Sequence, residues 1–238
     1  MNHAIVLAAQ QYLGFELCNA LLERGWTVTA VDDPEEPKDK WLEIGRNANI
    51  QYVSTHTWDR ELPLECRLFL PYYDQFESNF ECLSLIEQTL AQNEDLPEIV
   101  QIFSNLSVRK KDEEPSKTRS TTFYLPTLYG AHQPSQFLFS RKLQGVKDED
   151  LQIADDPSGA IYVKDAANCI IKHSGKHRTY SLKSLSETSW KEALTYINDE
   201  PIFPSVQIRN HEGEPIIVHP TKSHETILKE QRQRMNSL

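Results

Sequence analysis

The sequence lacks any apolar run long enough to cross a membrane. The first such run, from Ala4 to Ala9, ends at Gln10 and Gln11, whereas a transmembrane helix needs about 20 apolar residues. The same stretch does not have the pattern of a signal peptide. We therefore expect no membrane association and a cytoplasmic location.

Cysteine is scarce and scattered. The four cysteines form no Cys-x-x-Cys pair, so we expect buried free thiols and neither a zinc knuckle nor a disulfide framework. Two histidines, His173 and His177, stand at helical spacing, but Gly175 lies between them and no third ligand is evident. The sequence therefore predicts no metal site.

Positive charge is in the minority. The chain has 25 Lys and Arg against 35 Asp and Glu, a net charge of -10, and such a surface repels phosphate backbones. The basic cluster Arg109 to Lys111 is followed at once by Asp112 to Glu114, which indicates a solvated loop. We expect no nucleic-acid partner.

Only eight glycines are present, and their scarcity matters most near the N-terminus. An apolar strand from Ala4, a short turn and an amphipathic helix ending at Gly25 are followed by a second apolar strand, Val28 to Val31, which Asp32 closes. This pattern predicts a strand-turn-helix-strand unit.

The turn of this unit has the outline of a dinucleotide-binding fingerprint with most glycines replaced. The three glycines of that motif permit a tight turn, let the backbone approach the pyrophosphate and let helix and strand pack closely. Here these places hold Ala8, Gln11 and Gly14. The Gln11 side chain would project where a diphosphate sits on the helix N-terminus. A rearranged cofactor that accepts hydrogen bonds from Gln10 or Gln11 is one alternative, and a purely structural loop is the other.

Asp32 favours the alternative in which a cofactor binds at this turn. An acidic side chain at the end of the second strand accepts hydrogen bonds from an adenosine ribose and disfavours a 2′-phosphate, so NAD would be preferred to NADP. The alternative is that Asp32 to Pro34 is turn chemistry. The residues predicted to contact a dinucleotide, if one binds, are Ala8, Gln10, Gln11, Tyr12, Leu13, Gly14 and Asp32.

Four stretches, in this order, resemble the extended short-chain dehydrogenases, the family of NAD-dependent nucleotide-sugar epimerases and dehydratases. Besides the N-terminal unit, Ile99 to Val108 resembles the family's serine-rich strand end, Phe123 to Gly130 its R-x-x-x-x-Y-G-P strand, and Ile161 to Ala167 its Y-V-x-D-x-A segment. The resemblance implies an α/β fold, a doubly wound parallel sheet (Rossmann-like) with a short C-terminal α/β extension. It divides the chain into a Rossmann-like domain, 1–135, and a reduced substrate-type lobe, 136–238, with sheet elements near 161–163 and a charged C-terminal tail.

The coarse pattern alternates strands and helices. Beyond the first two strands, it predicts strands at 50–53, 68–70, 99–103 and 122–125, an extended segment at 161–163, and helices at 40–45, 76–92, 136–143, 165–173 and 184–198. The stretch 225–234 predicts a surface helix or a frayed tail. We expect eight strand residues to be buried in the sheet: Ile5, Val6, Leu7, Val28, Val31, Ile99, Ile102 and Phe103.

The resemblance also implies a catalytic pair that this chain lacks. The family uses a Tyr as general acid/base, with a Lys four residues later that lowers its pKa from about 10. None of the nine tyrosines has a Lys at that spacing. Ser104 and Ser107 stand near the usual catalytic serine, but without the tyrosine they indicate strand-end capping.

The segment Arg109 to Thr121 takes the place of the helix that would carry this pair. It is polar, contains Pro115 and has no apolar stripe, so it cannot cover a sheet face. We therefore expect a contact surface at this edge, for a homodimer or another protein, with the segment after Pro220 as the intramolecular alternative.

Two hypotheses follow. The first is a catalytically degenerate member of the family, a binding or regulatory module that binds no NAD or binds it weakly. The second is an active NAD-dependent oxidoreductase or epimerase with a relocated acid/base, for which Tyr124, Tyr129 and Lys164 are the obvious substitutes. The joint loss of loop glycines and of the Tyr/Lys pair favours the first.

Overall fold

The apolar runs of the sequence form parallel strands. The computed structural model describes residues 2–32, 39–74, 90, 95–107, 119–146, 155–197 and 213–236. Within these ranges the strands are β1 His3–Leu7, β2 Thr27–Asp32, β3 Ile50–Ser54, β4 Cys66–Leu70, β5 Glu98–Ser104, β6 Ser120–Leu125, β7 Thr127–Tyr129, β8 Ala160–Tyr162, β9 Thr179–Ser184 and β10 Glu214–Val218. The α-helices are α1 Tyr12–Glu23, α2 Leu138–Leu143, α3 Val163–His173, α4 Ser189–Thr195 and α5 His224–Met235, with 3-10 helices at Asp39–Glu43 and Tyr72–Asp74.

Eight of these strands form one sheet in the order β10-β9-β6-β5-β4-β1-β2-β3, and β7 pairs with β8 in a second, two-stranded sheet. The pairs β1/β2, β1/β4, β2/β3, β4/β5, β9/β10 and β7/β8 are all parallel. The eight strand residues expected in the core are all buried. The predicted doubly wound parallel sheet is therefore confirmed.

The chain folds into two compact units that interleave along the sequence. The first comprises Met1–Phe103, Val108–Phe123 and Ala167–Thr179, and the second Ser104–Ser107, Tyr124–Ala166 and Tyr180–Leu238. The N-terminal strand-turn-helix-strand belongs to the first unit. The C-terminal helix α5 belongs to the second, where Ile227, Leu228 and Gln231 are buried on one of its faces.

Three sequence predictions are refined by the structure or fall outside the described residues. The predicted helix at 184–198 is wrong at its start, because Ser184 ends β9 and helix α4 begins at Ser189. Of the two alternatives for 225–234, a surface helix or a frayed tail, the structure has the helix: Ser223 caps α5 by accepting a hydrogen bond from the Thr226 amide, and the buried face anchors it. Apart from Leu90, the predicted helix at 76–92 lies outside the described residues.

Helix α1 packs against the turn after β1 at Gly14. A Cβ atom at this position would stand 2.1 Å from the carbonyl oxygen of Ala8 and 3.2 Å from the Cα of Ala9. The third position of the fingerprint therefore keeps its packing role in this chain.

We expect Gly14→Ala to lower the free energy of unfolding by about 3 kcal/mol, at the upper end of overpacking costs, because the atom it meets is a backbone oxygen that cannot rotate away. Urea unfolding would measure this. Asn19→Ala, at a partly exposed position of the same helix, is the control and should change stability by less than about 0.5 kcal/mol. Equal effects of the two substitutions would contradict the packing role.

Candidate functional site

The turn between β1 and α1 is tight and almost wholly buried. Ala8 adopts a left-handed backbone with φ 50°, the conformation for which a glycine is favoured. The Gln11 amide donates to the Ala8 carbonyl at 2.9 Å, and the Ala9 amide to the Val31 carbonyl at 3.2 Å. Ala8 thus makes the turn that the first fingerprint glycine would make. Gln10, at the turn's centre, is fully buried.

Asp32 closes β2 and points back at this turn. Its carboxylate accepts a hydrogen bond from the Gln10 amide at 2.7 Å, and the residue is only 3% exposed. The Gln10 side-chain amide donates to the Tyr52 hydroxyl at 3.0 Å, which donates to the Asp32 carbonyl at 3.4 Å. The carboxylate predicted to hold a ribose is therefore engaged with the turn itself.

Asp74, which the sequence analysis missed, lies at the N-terminus of α1. Its Oδ1 accepts from the Leu13 amide at 2.9 Å, and its Oδ2 accepts from the Leu13 and Gly14 amides, both at 2.9 Å. The N-terminus of a helix attracts anions because free amides and the helix dipole converge there. In this chain an internal carboxylate takes that place.

The position of Asp74 beside α1 could be inferred only from the order of the strands in the sheet. Asp74 ends the 3-10 helix that follows β4, and β4 pairs in parallel with β1. The carboxyl ends of neighbouring parallel strands meet at one edge of a sheet, so residues after β4 lie beside residues after β1. Neither a local motif nor a spacing marks the residue in the sequence.

The charge of Asp74 is set by burial and by two charged neighbours. Burial raises the pKa of its carboxyl to about 7; the amides of Leu13 and Gly14 and the Lys40 ammonium act to lower this pKa, and the charge of Asp32 acts to raise it. The Lys40 ammonium donates to the Gln11 carbonyl at 3.0 Å and lies 5.2 Å from the centre of the Phe15 ring. Among the described residues, one cation, Lys40, and one further carboxyl group, Asp32, thus act on the Asp74 carboxyl.

The remaining predicted contact residues lie in the first turn of α1. Gln11 is the N-cap, with an extended backbone and no hydrogen bond from its side chain to the helix amides. Tyr12 and Leu13 are buried. The structure thus brings all seven predicted residues together around one turn. An open cavity of about 610 Å³ is lined by residues of β3 and the loop after it, including Tyr52, which contacts Gln10: Gln51, Tyr52, Val53, Ser54, His56 and Thr57.

Tyr129, in the second unit, is held in a relay of side chains. Its hydroxyl and Nδ1 of His224 are 2.6 Å apart, and Nε2 of His224 is 3.9 Å from a Glu192 carboxylate oxygen. Burial raises the pKa of Tyr129, as do the charges of Asp165 and Tyr162. A general acid/base needs the opposite shift at neutral pH.

The other two candidate substitutes for the catalytic pair lie on different elements, one buried and one exposed. Tyr124 is buried in β6, and Lys164 is exposed in the first turn of α3. Among the described residues, no group of three or more His, Cys, Asp and Glu side chains could hold a metal ion. In the same residues, no helix is long and apolar enough to cross a membrane.

No family model and no curated protein matches this sequence. Solved structures do match over nearly the whole chain. A dTDP-glucose 4,6-dehydratase of Bacillus anthracis in complex with NAD is 12% identical, with a TM-score of 0.59 over 100% of this chain and 97% of its own. Pal of Bacillus thuringiensis is 12% identical, with a TM-score of 0.63 over 99% of both chains. A UDP-glucose 4-epimerase of Thermotoga maritima with UDP-glucose is 16% identical, with a TM-score of 0.54 over 100% and 99%.

These comparisons show that the chain has the Rossmann-like fold of nucleotide-sugar epimerases and dehydratases. The fold that the resemblance implied is thereby confirmed. At such low identity, it is the fold alone that the comparisons establish, and residue roles have to be argued from the geometry above.

The protonation of His224, which is hydrogen-bonded to Tyr129, makes the free energy of unfolding depend on pH. Burial lowers the pKa of His224 from its ordinary value of 6.5, so the unfolded chain binds a proton more readily than the folded one. The stabilisation is present above pH 6.5 and is lost as the pH falls through the folded-state pKa.

We therefore expect His224→Gln to weaken the dependence of unfolding free energy on pH between pH 7.5 and 5, because glutamine does not titrate. Urea unfolding across this range measures the dependence. His177→Gln, which removes an exposed histidine, should leave the wild-type dependence unchanged. Parallel curves for wild type and His224→Gln would contradict the assignment.

Proposed function

We propose that this protein is a catalytically degenerate relative of the nucleotide-sugar epimerases and dehydratases that acts as a binding or regulatory module. The observation that carries the proposal is the state of Tyr129. Its hydroxyl is bonded to His224, its pKa is raised, and no Tyr-x-x-x-Lys pair exists anywhere in the sequence. Positioned proton transfer commonly contributes about 10²- to 10⁴-fold in rate, so its loss lowers the rate of the family's chemistry by about that factor.

The second candidate function is an active NAD-dependent oxidoreductase or epimerase with a relocated acid/base. The proximity of the Tyr129 hydroxyl to His224 favours it, since a histidine can relay a proton at neutral pH. The direction of the Tyr129 pKa shift argues against it, because a tyrosine with a raised pKa is less ionised at neutral pH, and its neutral form cannot act as the base.

We expect purified protein to show no NAD-linked epimerase, dehydratase or dehydrogenase turnover on UDP- and dTDP-sugars. The measurement is product formation by chromatography, together with NADH absorbance. Turnover that Tyr129→Phe or Tyr124→Phe abolishes, with Tyr196→Phe at an exposed position as the control, would overturn the proposal and support the active enzyme.

We propose that the module binds NAD weakly and in preference to NADP. Several solved neighbours contain NAD, and this chain keeps both the turn and the Asp32 carboxylate that disfavours a 2′-phosphate. The Gln11 side chain at the second glycine position and the engagement of Asp32 with Gln10 both oppose tight binding.

Calorimetry should therefore give an NAD affinity weaker than about 1 μM, which corresponds to roughly -8 kcal/mol, and a still weaker affinity for NADP. NAD that copurifies with the protein, or sub-micromolar binding, would contradict this expectation. Equal affinities for NAD and NADP would remove the role given to Asp32.

We also propose that the sheet surface beside β5 and β6, near Arg109 to Thr121, contacts a second copy of this chain or another protein. The polar composition of this segment supports the proposal, because it provides no apolar side chains to cover a sheet face. Residues 108–118 lie outside the described ranges. Light scattering of the purified chain distinguishes the homodimer from a monomer.

A further inference from the structure

We propose that the Asp74 carboxylate closes the diphosphate position at the N-terminus of α1, so that a nucleotide diphosphate enters only when this side chain is neutralised or withdrawn. The inference deepens the proposed function and rests on it in one respect: it takes a dinucleotide as the ligand of the module. Asp74 then limits the affinity for the dinucleotide, and neutralisation or withdrawal of its side chain removes that limit.

The Asp74 carboxylate and a pyrophosphate compete for the same hydrogen-bond donors. A dinucleotide places its pyrophosphate on the amides at the start of the helix that follows the first strand. In this chain the Leu13 and Gly14 amides donate to Asp74 at 2.9 Å. When the Asp74 carboxyl is ionised, these are charge-assisted hydrogen bonds, which are stronger than bonds between neutral groups. A phosphate has to displace the carboxylate to use the same amides.

Asp74 is not an ordinary cap. A helix is usually capped by the side chain of its own N-cap residue, but the N-cap here, Gln11, makes no such bond. The acceptor instead comes from a residue 61 positions away from Leu13 in the sequence. Asp74 is 4% exposed, so its carboxyl group has been brought into the cleft and largely desolvated there.

The segment that carries Asp74 is well anchored. The Asp74 amide donates to the Pro71 carbonyl at 3.0 Å, and the ring of Tyr72 stacks on that of Phe103 with 4.7 Å between their centres. These contacts hold the backbone that carries the carboxyl group beside α1. A change in the charge of this group is then felt directly at the helix N-terminus.

Protonation changes that charge near neutral pH. Burial raises the pKa of Asp74 to about 7; among the described residues, the charged groups that act on it are Lys40, which lowers the pKa, and Asp32, which raises it. Above this pH the ionised carboxylate repels a diphosphate and accepts the helix amides strongly. Below it the neutral acid no longer repels the ligand, so the affinity for a diphosphate rises as the pH falls.

The test is calorimetry of NAD binding at pH 8 with wild type and two variants. Asp74→Asn keeps the shape of the side chain and removes its charge, and we expect it to bind NAD at least about tenfold more tightly than wild type. Gln11→Gly, which removes the obstacle inferred from the sequence, should give a smaller gain. Asp95→Asn, at an exposed position of the same unit, is the matched control and should bind as wild type does.

Adenosine serves as the ligand control because it lacks the diphosphate. Its affinity should be the same for wild type and for Asp74→Asn. The pH series is the second measurement: wild-type affinity for NAD should fall by up to about tenfold per pH unit above pH 7, the limit for one linked proton, whereas Asp74→Asn should show little change.

The outcomes separate the inference from the proposed function. If wild type binds NAD weakly and Asp74→Asn binds it no more tightly, with a flat wild-type pH series, the inference is overturned and the weak-binding proposal stands. If wild type shows turnover or sub-micromolar affinity, the proposed function fails. Should Asp74→Asn not fold, the wild-type pH series decides: a flat series overturns the inference, and the expected slope supports it.

Discussion

The close approach of α1 to the turn after β1 is the constraint on which the rest of the cleft depends. Gly14 permits it, because any Cβ atom there would collide with the Ala8 carbonyl. With the helix in that position, its first free amides open towards the carboxyl ends of β1 and β4. These amides need an acceptor, since a buried amide without a partner costs free energy.

In a dinucleotide-binding protein of this fold, the pyrophosphate supplies that acceptor. Here Asp74 supplies it from within the chain, and Asp32 does the same for the Gln10 amide. The loss of glycines at the first two fingerprint positions and the presence of an internal carboxylate have a common result. The Gln10, Leu13 and Gly14 amides have acceptors within the chain, so these hydrogen bonds do not require a cofactor.

In the second unit, too, polar side chains are hydrogen-bonded to partners within the chain. The Tyr129 hydroxyl is hydrogen-bonded to His224, the Gln133 side-chain oxygen Oε1 accepts from the Gln231 side chain at 2.9 Å, and Asp165 accepts from the amide and hydroxyl of Thr221. All these bonds attach the region around α5 to the rest of its unit. A tyrosine held in this way contributes to the docking of helix α5, a role that requires no acid/base chemistry.

The sequence by itself determined the parallel sheet, because the continuous apolar runs around Val6, Val31 and Ile102 suit strands covered on both faces. It also determined the absence of the Tyr/Lys pair and the grouping of candidate residues around the first turn, since both follow from residue types at short spacing. Strands β9 and β10 were not predicted. Their place in the sheet depends on pairing with partners far along the chain.

Only the tertiary structure decided what occupies the cleft. Asp74 is 61 residues from Leu13, and His224 is 95 residues from Tyr129, so no local pattern joins either pair. The placement of Asp74 follows from the pairing of β1 with β4, which sets two distant loops side by side. A hydrogen bond is decided by distances of a few tenths of an ångström, and only the assembled sheet and helices determine these.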